Sequence, residues 1–262
     1  MSKVILVAPL AGWSTPLDEA PDAVFAGRML GDGLAIDPTG STLYAPCDGE
    51  LIAVPSSRHA LTLRTPEGAE ILLHVGIDTV ALGGEGFELH VRQGQIVRTG
   101  DRLLSFDIDL LARRAKSLLT PVILLEGGGF SVSRRSESCE LAVGDALLEL
   151  VRETAALKAP VSGPGPAVSR RVLVALEHGI HARPAAMLAG AVKGFAAEVT
   201  LVARGRQASA RSTIALMTLG VRKGDEVEIR ASGADAEAAI GAAEAALRAE
   251  KGVIPKIGRA HV

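Results

Sequence analysis

Four chain-breaking residues in a row, Gly163-Pro164-Gly165-Pro166, cut the sequence into two halves with different hydrophobic patterns. They sit within Lys158-Ala159-Pro160-Val161-Ser162-Gly163-Pro164-Gly165-Pro166-Ala167, which has neither helical nor strand periodicity and reads as an interdomain linker. A chain of 262 residues divided there is long enough for two modest domains, each with its own core.

Before the linker, short apolar runs alternate with glycine-rich turns, the pattern of an all-β sandwich or barrel. The expected strands include Gly33–Asp37, Gly49–Val54, His59–Arg64, Glu70–Val75 and Arg102–Phe106, with a first strand in the run that starts at Val4 and a helix over Ile108–Lys116. After the linker the period changes. Strands are expected at Val172–Glu177, Glu198–Ala203, Gln207–Ala210 and Asp225–Arg230. Helices are expected over Pro184–Lys193, after Ser212 up to Gly220, and over Asp235–Ala249, where Asp235 is placed to cap the start. The order β-α-β-β-α-β-α implies an α+β open-faced sandwich, an antiparallel sheet with helices on one face.

Composition removes several function classes. A net charge of −2 with mixed signs leaves no basic footprint for nucleic acid, and 3% aromatics leave no stacking platform. No run reaches the ~18 apolar residues that a spanning helix needs. The two cysteines, Cys47 and Cys139, form no C-x-x-C pair and suit a reduced, cytoplasmic setting.

Only six histidines occur, and two have particular surroundings. His181 lies in His178-Gly179-Ile180-His181-Ala182-Arg183-Pro184-Ala185-Ala186, at the start of a helix. There the first-turn N–H groups, the helix dipole and the Arg183 guanidinium all favour a bound anion. His74 ends the apolar run Ile71-Leu72-Leu73-His74-Val75-Gly76, and His59 starts the preceding strand, so antiparallel pairing would set the two rings side by side. Gly76 lets a backbone carbonyl approach and fix the ring tautomer of His74, and Asp78 stands near enough to balance charge. Each of His74 and His181 reads as one exposed, oriented imidazole, which is what a covalent phosphate carrier requires.

Gly179-Ile180-His181-Ala182-Arg183-Pro184-Ala185, with Ala210-Arg211-Ser212 and Leu219-Gly220 downstream, resembles HPr, the histidine phosphocarrier of the bacterial phosphotransferase system. The resemblance implies phosphorylation of His181 on Nδ1, with Arg183 steadying the phosphate. It makes Ser212 a candidate regulatory phosphosite as well as a helix cap, and puts Thr213, Ile214 and Met217 on or near a docking surface.

Phe25-Ala26-Gly27-Arg28-Met29-Leu30-Gly31-Asp32-Gly33, Ala45-Pro46-Cys47-Asp48-Gly49, His59-Ala60, His74-Val75-Gly76-Ile77-Asp78-Thr79-Val80, Gly84-Glu85-Gly86-Phe87 and Leu119-Thr120-Pro121-Val122 together resemble the glucose-type enzyme IIA of the same system. That resemblance implies a β fold of the duplicated hybrid motif type. It implies His74 as the acceptor on Nε2, His59 as its hydrogen-bonding neighbour, and Ser57 as the residue that orients His59. Phe25, Met29, Leu30, Leu72 and Val80 are then expected to line an apolar docking ring, with Leu72 departing from an aromatic.

A metal reading competes, because His74-x-x-x-Asp78 is a spacing found in zinc peptidases. Those enzymes also need a downstream His-x-His, and His90 stands alone. No resident metal is expected; His59 and His74 remain able to bind zinc if a partner completes the site.

The expectation is therefore a fusion. It has a glucose-type enzyme IIA domain at 1–152, a linker at 153–169, an HPr-like domain at 170–252 and a tail at 253–262. The tail is expected to mark a truncation or artefact, with the chain the N-terminal part of an enzyme IIA–HPr–enzyme I multiphosphoryl transfer protein. The expected activity is protein-histidine phosphotransfer through phosphohistidine intermediates, with no obligatory cofactor. Enzyme I (in trans, or in cis in a longer protein), a membrane sugar permease (enzyme IIB/IIC) and regulatory protein targets are the expected partners.

Overall fold

Runs such as Ile71-Leu72-Leu73 are apolar at every position, as strands buried on both faces must be, and the first half of the chain is organised around them. The computed structural model describes residues 3–126, 129–152 and 167–248. Its contacts separate into two units, Met1–Pro160 and Val161–Val262. The core of the linker falls on 153–166 and the tail on 253–262, both outside the described residues.

The first unit is β throughout, apart from short helical segments. Its largest sheet has eight antiparallel strands in the order Glu140–Leu141, Gly12–Pro16, Gly31–Pro38, Thr120–Leu125, Glu70–His74, Ala60–Arg64, Gly49–Ala53 and Ile96–Val97. Two three-stranded sheets accompany it: one joins Lys3–Val7, Ala146–Arg152 and Phe130–Arg135, the other Thr42–Tyr44, Arg102–Phe106 and Phe87–Leu89.

The period-2 alternation of the central strands decides where the site lies. Leu61, Leu63, Ile71, Leu73, Val122 and Leu124 point to one side and join the main core. Ala60, Leu72, His74 and Ile123 point to the other side, outside that cluster, yet are also buried. Short helix Ala23–Ala26 begins at Asp22, whose carboxylate accepts from the N–H groups of Val24 and Phe25 at 2.9 and 3.3 Å.

In the second unit the sheet order is Ala167–Leu173, Glu226–Ser232, Glu198–Ala203 and Arg206–Ser209, all antiparallel. Val172, Val199, Leu201, Val227 and Ile229 face the helices Ala182–Lys193, Thr213–Thr218 and Ala236–Arg248. Those helices contribute Ala185, Leu188, Val192, Ile240 and Leu247 to the same core. On the opposite face Ser169, Arg171, Thr200, Glu228 and Arg230 carry no helix cover among the described residues, the arrangement of an open-faced sandwich.

One local expectation changes and another gains detail. The first strand of this unit is Ala167–Leu173 rather than Val172–Glu177, because seven register pairs with Glu226–Ser232, from Ala167↔Ser232 to Leu173↔Glu226, fix it. Its Ser169-Arg170-Arg171 stretch is polar and hid the strand from pattern reading. The Asp235 carboxylate, marked as the cap of the last helix, accepts the N–H groups of Ala196 and Ala197, both at 2.7 Å, and so pins the entry to the Glu198 strand. Those amides hold its pKa below the usual aspartate value.

Candidate functional site

In the first unit, strand register places Ala60 directly opposite His74, and the Val75 N–H donates to the His59 carbonyl at 2.8 Å. Strict alternation would send the His59 side chain to the face opposite His74. The chain escapes that rule just before the strand. Arg58 takes φ +56°, a left-handed conformation uncommon for a side-chain-bearing residue, and His59 lies on the bend that follows. The small Ala60 leaves the space across from His74 open. The two imidazoles meet with centroids 4.7 Å apart and planes at 78°.

Each ring is oriented by a partner. His74 Nδ1 lies 2.8 Å from the Gly76 carbonyl oxygen. A carbonyl only accepts, so Nδ1 carries the proton, and in the neutral ring the lone pair is on Nε2. The turn that supplies this carbonyl requires glycine: φ is +69°, and a Cβ would lie 2.7 Å from Thr79 Cγ2 and 3.2 Å from the Ser117 carbonyl oxygen. Thr79 Oγ1 donating to the Val75 carbonyl at 2.7 Å and Ile77 N–H donating to Ser117 at 2.8 Å hold the turn. On the neighbouring ring, Ser57 Oγ stands 2.8 Å from His59 Nδ1. A hydroxyl can donate or accept, so His59 keeps this bond in either protonation state.

The sequence reading of an exposed imidazole fails for His74. His74 is 5% exposed and His59 2%. The Phe25 ring packs edge-on against His74, 5.0 Å between centroids, and the histidines cover each other. Of the residues expected to form the apolar docking ring, Phe25, Leu30 and Leu72 are buried, while Met29 and Val80 are half-buried. Asp78 occupies a left-handed position (φ +62°) immediately before the 3-10 turn Thr79–Leu82.

In the second unit His181 is the N-cap residue of helix Ala182–Lys193, half-buried, with φ −103° and ψ −170°. Its carbonyl accepts the Ala185 N–H at 2.9 Å, and its side chain makes no cap bond to the helix. Arg183 is the second helical residue and Pro184 the third, still within the first turn. Ser212 Oγ accepts the Ala215 N–H at 3.2 Å as the cap of Thr213–Thr218. Ile214 and Thr213 on that helix are buried, and Met217 is half-buried.

Sequence reasoning gave His178 no role, yet its ring stands 6.3 Å from that of His181, centroid to centroid. The signal available was the spacing of two histidines three residues apart across a glycine. Among the described residues, no group of three or more His, Cys, Asp or Glu side chains is placed to hold a metal. Cys47 is a buried thiol whose pKa burial pushes up to about 12. Among the described residues no helix is long and apolar enough to cross a membrane.

Comparison with known proteins matches each unit. Residues 4–129 match the family described as phosphoenolpyruvate-dependent sugar phosphotransferase system, EIIA 1, and residues 168–249 match the PTS HPr component phosphorylation site family. A PTS system glucose-specific EIIA component from Bacillus cereus is 50% identical over 119 residues, which is 45% of this chain and 72% of that protein. The solved structure of glucose permease IIA from Mycoplasma capricolum is 38% identical, spans 57% of this chain and 96% of that one, and has a TM-score of 0.55. A phosphocarrier protein HPr from Bacillus anthracis is 32% identical, spans 32% of this chain and 99% of that one, and has a TM-score of 0.31.

Proposed function

The chain belongs to the EIIA 1 and HPr families of the phosphoenolpyruvate-dependent sugar phosphotransferase system, and we propose that its two units form one relay, His181 loading first and His74 second. Components of these families are phosphotransferases that act on histidine and serve sugar uptake.

Enzyme I, supplied in trans or as part of a longer protein, transfers a phosphoryl group to His181. Arg183 and the start of the Ala182–Lys193 helix hold the phosphoryl oxygens. The Nε2 lone pair of His74 then attacks phosphorus, the N–P bond to His181 breaks, and that ring recovers its electron pair. His59, held by Ser57, donates a hydrogen bond to the phosphoryl group on His74 and steadies it until it passes to a membrane permease of the enzyme IIB/IIC type.

No cofactor enters these steps. In this reading Phe25, Met29, Leu30, Leu72 and Val80 form the apolar docking ring of the first unit, and Ile214 and Met217 belong to the docking surface of the second. The sugar is glucose or a close analogue such as N-acetylglucosamine, by analogy with the glucose-specific relative, and the setting is cytoplasmic.

One observation carries the reading most strongly: His74 is locked as the Nδ1–H tautomer by the Gly76 carbonyl, with a second imidazole 4.7 Å away. The test is to incubate the full chain with enzyme I and labelled phosphoenolpyruvate. His181→Ala is expected to abolish labelling of both histidines. Label reaching His74 in that variant without added HPr contradicts the relay.

A further inference from the structure

The first unit sets a second imidazole against the one that carries the phosphate; the second unit has an unassigned counterpart. His178 lies in the turn Leu176–Gly179, closed by the Gly179 N–H donating to the Leu176 carbonyl at 2.9 Å. This turn is clamped to a neighbouring loop. Ile180 N–H donates to the Val221 carbonyl at 3.0 Å, and Gly179 at φ +69° runs so close to it that a Cβ would sit 2.0 Å from that oxygen. The backbone under His178 is thus fixed although its side chain is exposed. Its ring stands 6.3 Å from the His181 ring at 61°.

That separation exceeds the 4.7 Å of the His59–His74 pair. A phosphoryl oxygen on one ring needs an N–H···O contact of about 2.7–3.2 Å between heavy atoms to the other, and rings 6.3 Å apart leave room for one. Imidazole carries at least one N–H in either protonation state, so the His178 ring can offer a donor to a phosphoryl oxygen on His181.

We propose that His178 is a phosphate-holding residue of the HPr-type unit, donating a ring N–H to the phosphoryl group carried by His181. The inference rests on the carrier role of His181 given above. His178 forms no covalent bond and gives up no proton: the N–P bond is made at His181 and broken there on transfer.

The test uses the full chain equilibrated with enzyme I at a fixed ratio of phosphoenolpyruvate to pyruvate. His178→Ala is expected to lower the equilibrium constant for charging His181 about fivefold, and His178→Gln, which keeps an N–H donor, to recover part of that loss. In the wild type, the ring nitrogen resonances of His178 are expected to shift when His181 is charged, a response that a merely structural residue would not give. If His178→Ala charges like the wild type and those resonances stay in place while His181 is labelled, this inference fails alone. A wild type that takes no label on His181 overturns the carrier reading along with it.

Discussion

The two histidine sites solve one problem on different scaffolds. In the first unit one imidazole ends a strand and the other lies on the bend before the neighbouring strand; they are 5% and 2% exposed, and each has a partner at Nδ1. In the second unit the carrier ring sits half-buried at a helix start, and the nearby ring is exposed. Hydrogen bonds strengthen where water is excluded, so a lost partner should weigh more at His74 than at His181. The helix start compensates with several weak, screened contributions in place of one buried neighbour.

If this contrast holds, His59→Gln has the largest effect among the neighbours. It should leave His74 able to accept phosphate but slow onward transfer about a hundredfold, as expected for a lost hydrogen-bond donor to the transferring group, in a rapid-quench assay. An onward rate equal to the wild type removes His59 from the chemistry. Gly76→Ala comes next. It forces a Cβ against Thr79 and the Ser117 carbonyl at positive φ, and should cost the first unit about 2 kcal/mol in denaturant unfolding while the second unit is unaffected.

Arg183→Glu places like charge beside the phosphate in the more exposed site. Loading of His181 should fall about tenfold and the loss should shrink as salt is raised. A salt-independent loss would mean that the guanidinium packs rather than pairs. Ser57→Ala is the mildest change, because the serine acts only through His59. Onward transfer should slow about threefold, with Ser57→Thr restoring it.

Much of this was legible from residue types. The breaker run at 163–166 separated the halves, and the β pattern and the β-α-β-β-α-β-α order each came through. The anchoring carbonyl at Gly76 and the cap at Ser212 followed from short-range chemistry that a sequence displays.

What stayed hidden depends on tertiary approach. The Phe25 ring that packs on His74 is delivered by a four-residue helix that no periodicity can announce. His59 reaches the His74 face only because Arg58 adopts a left-handed conformation, which its residue type disfavours. The Ala167–Leu173 strand is set by its pairing partner rather than by its own polar sequence. His178 was passed over because a turn residue shows its neighbour only once the turn is folded.

The sharpest check is the identity of the phosphorylated nitrogen on His74. The chain would be labelled with nitrogen-15 in its imidazoles, charged by enzyme I, and read by phosphorus-coupled NMR. The Gly76 carbonyl holding Nδ1–H predicts phosphorus bonded to Nε2 of His74. Phosphorus on Nδ1 of that ring, or on neither nitrogen while the chain remains charged elsewhere, would contradict the account.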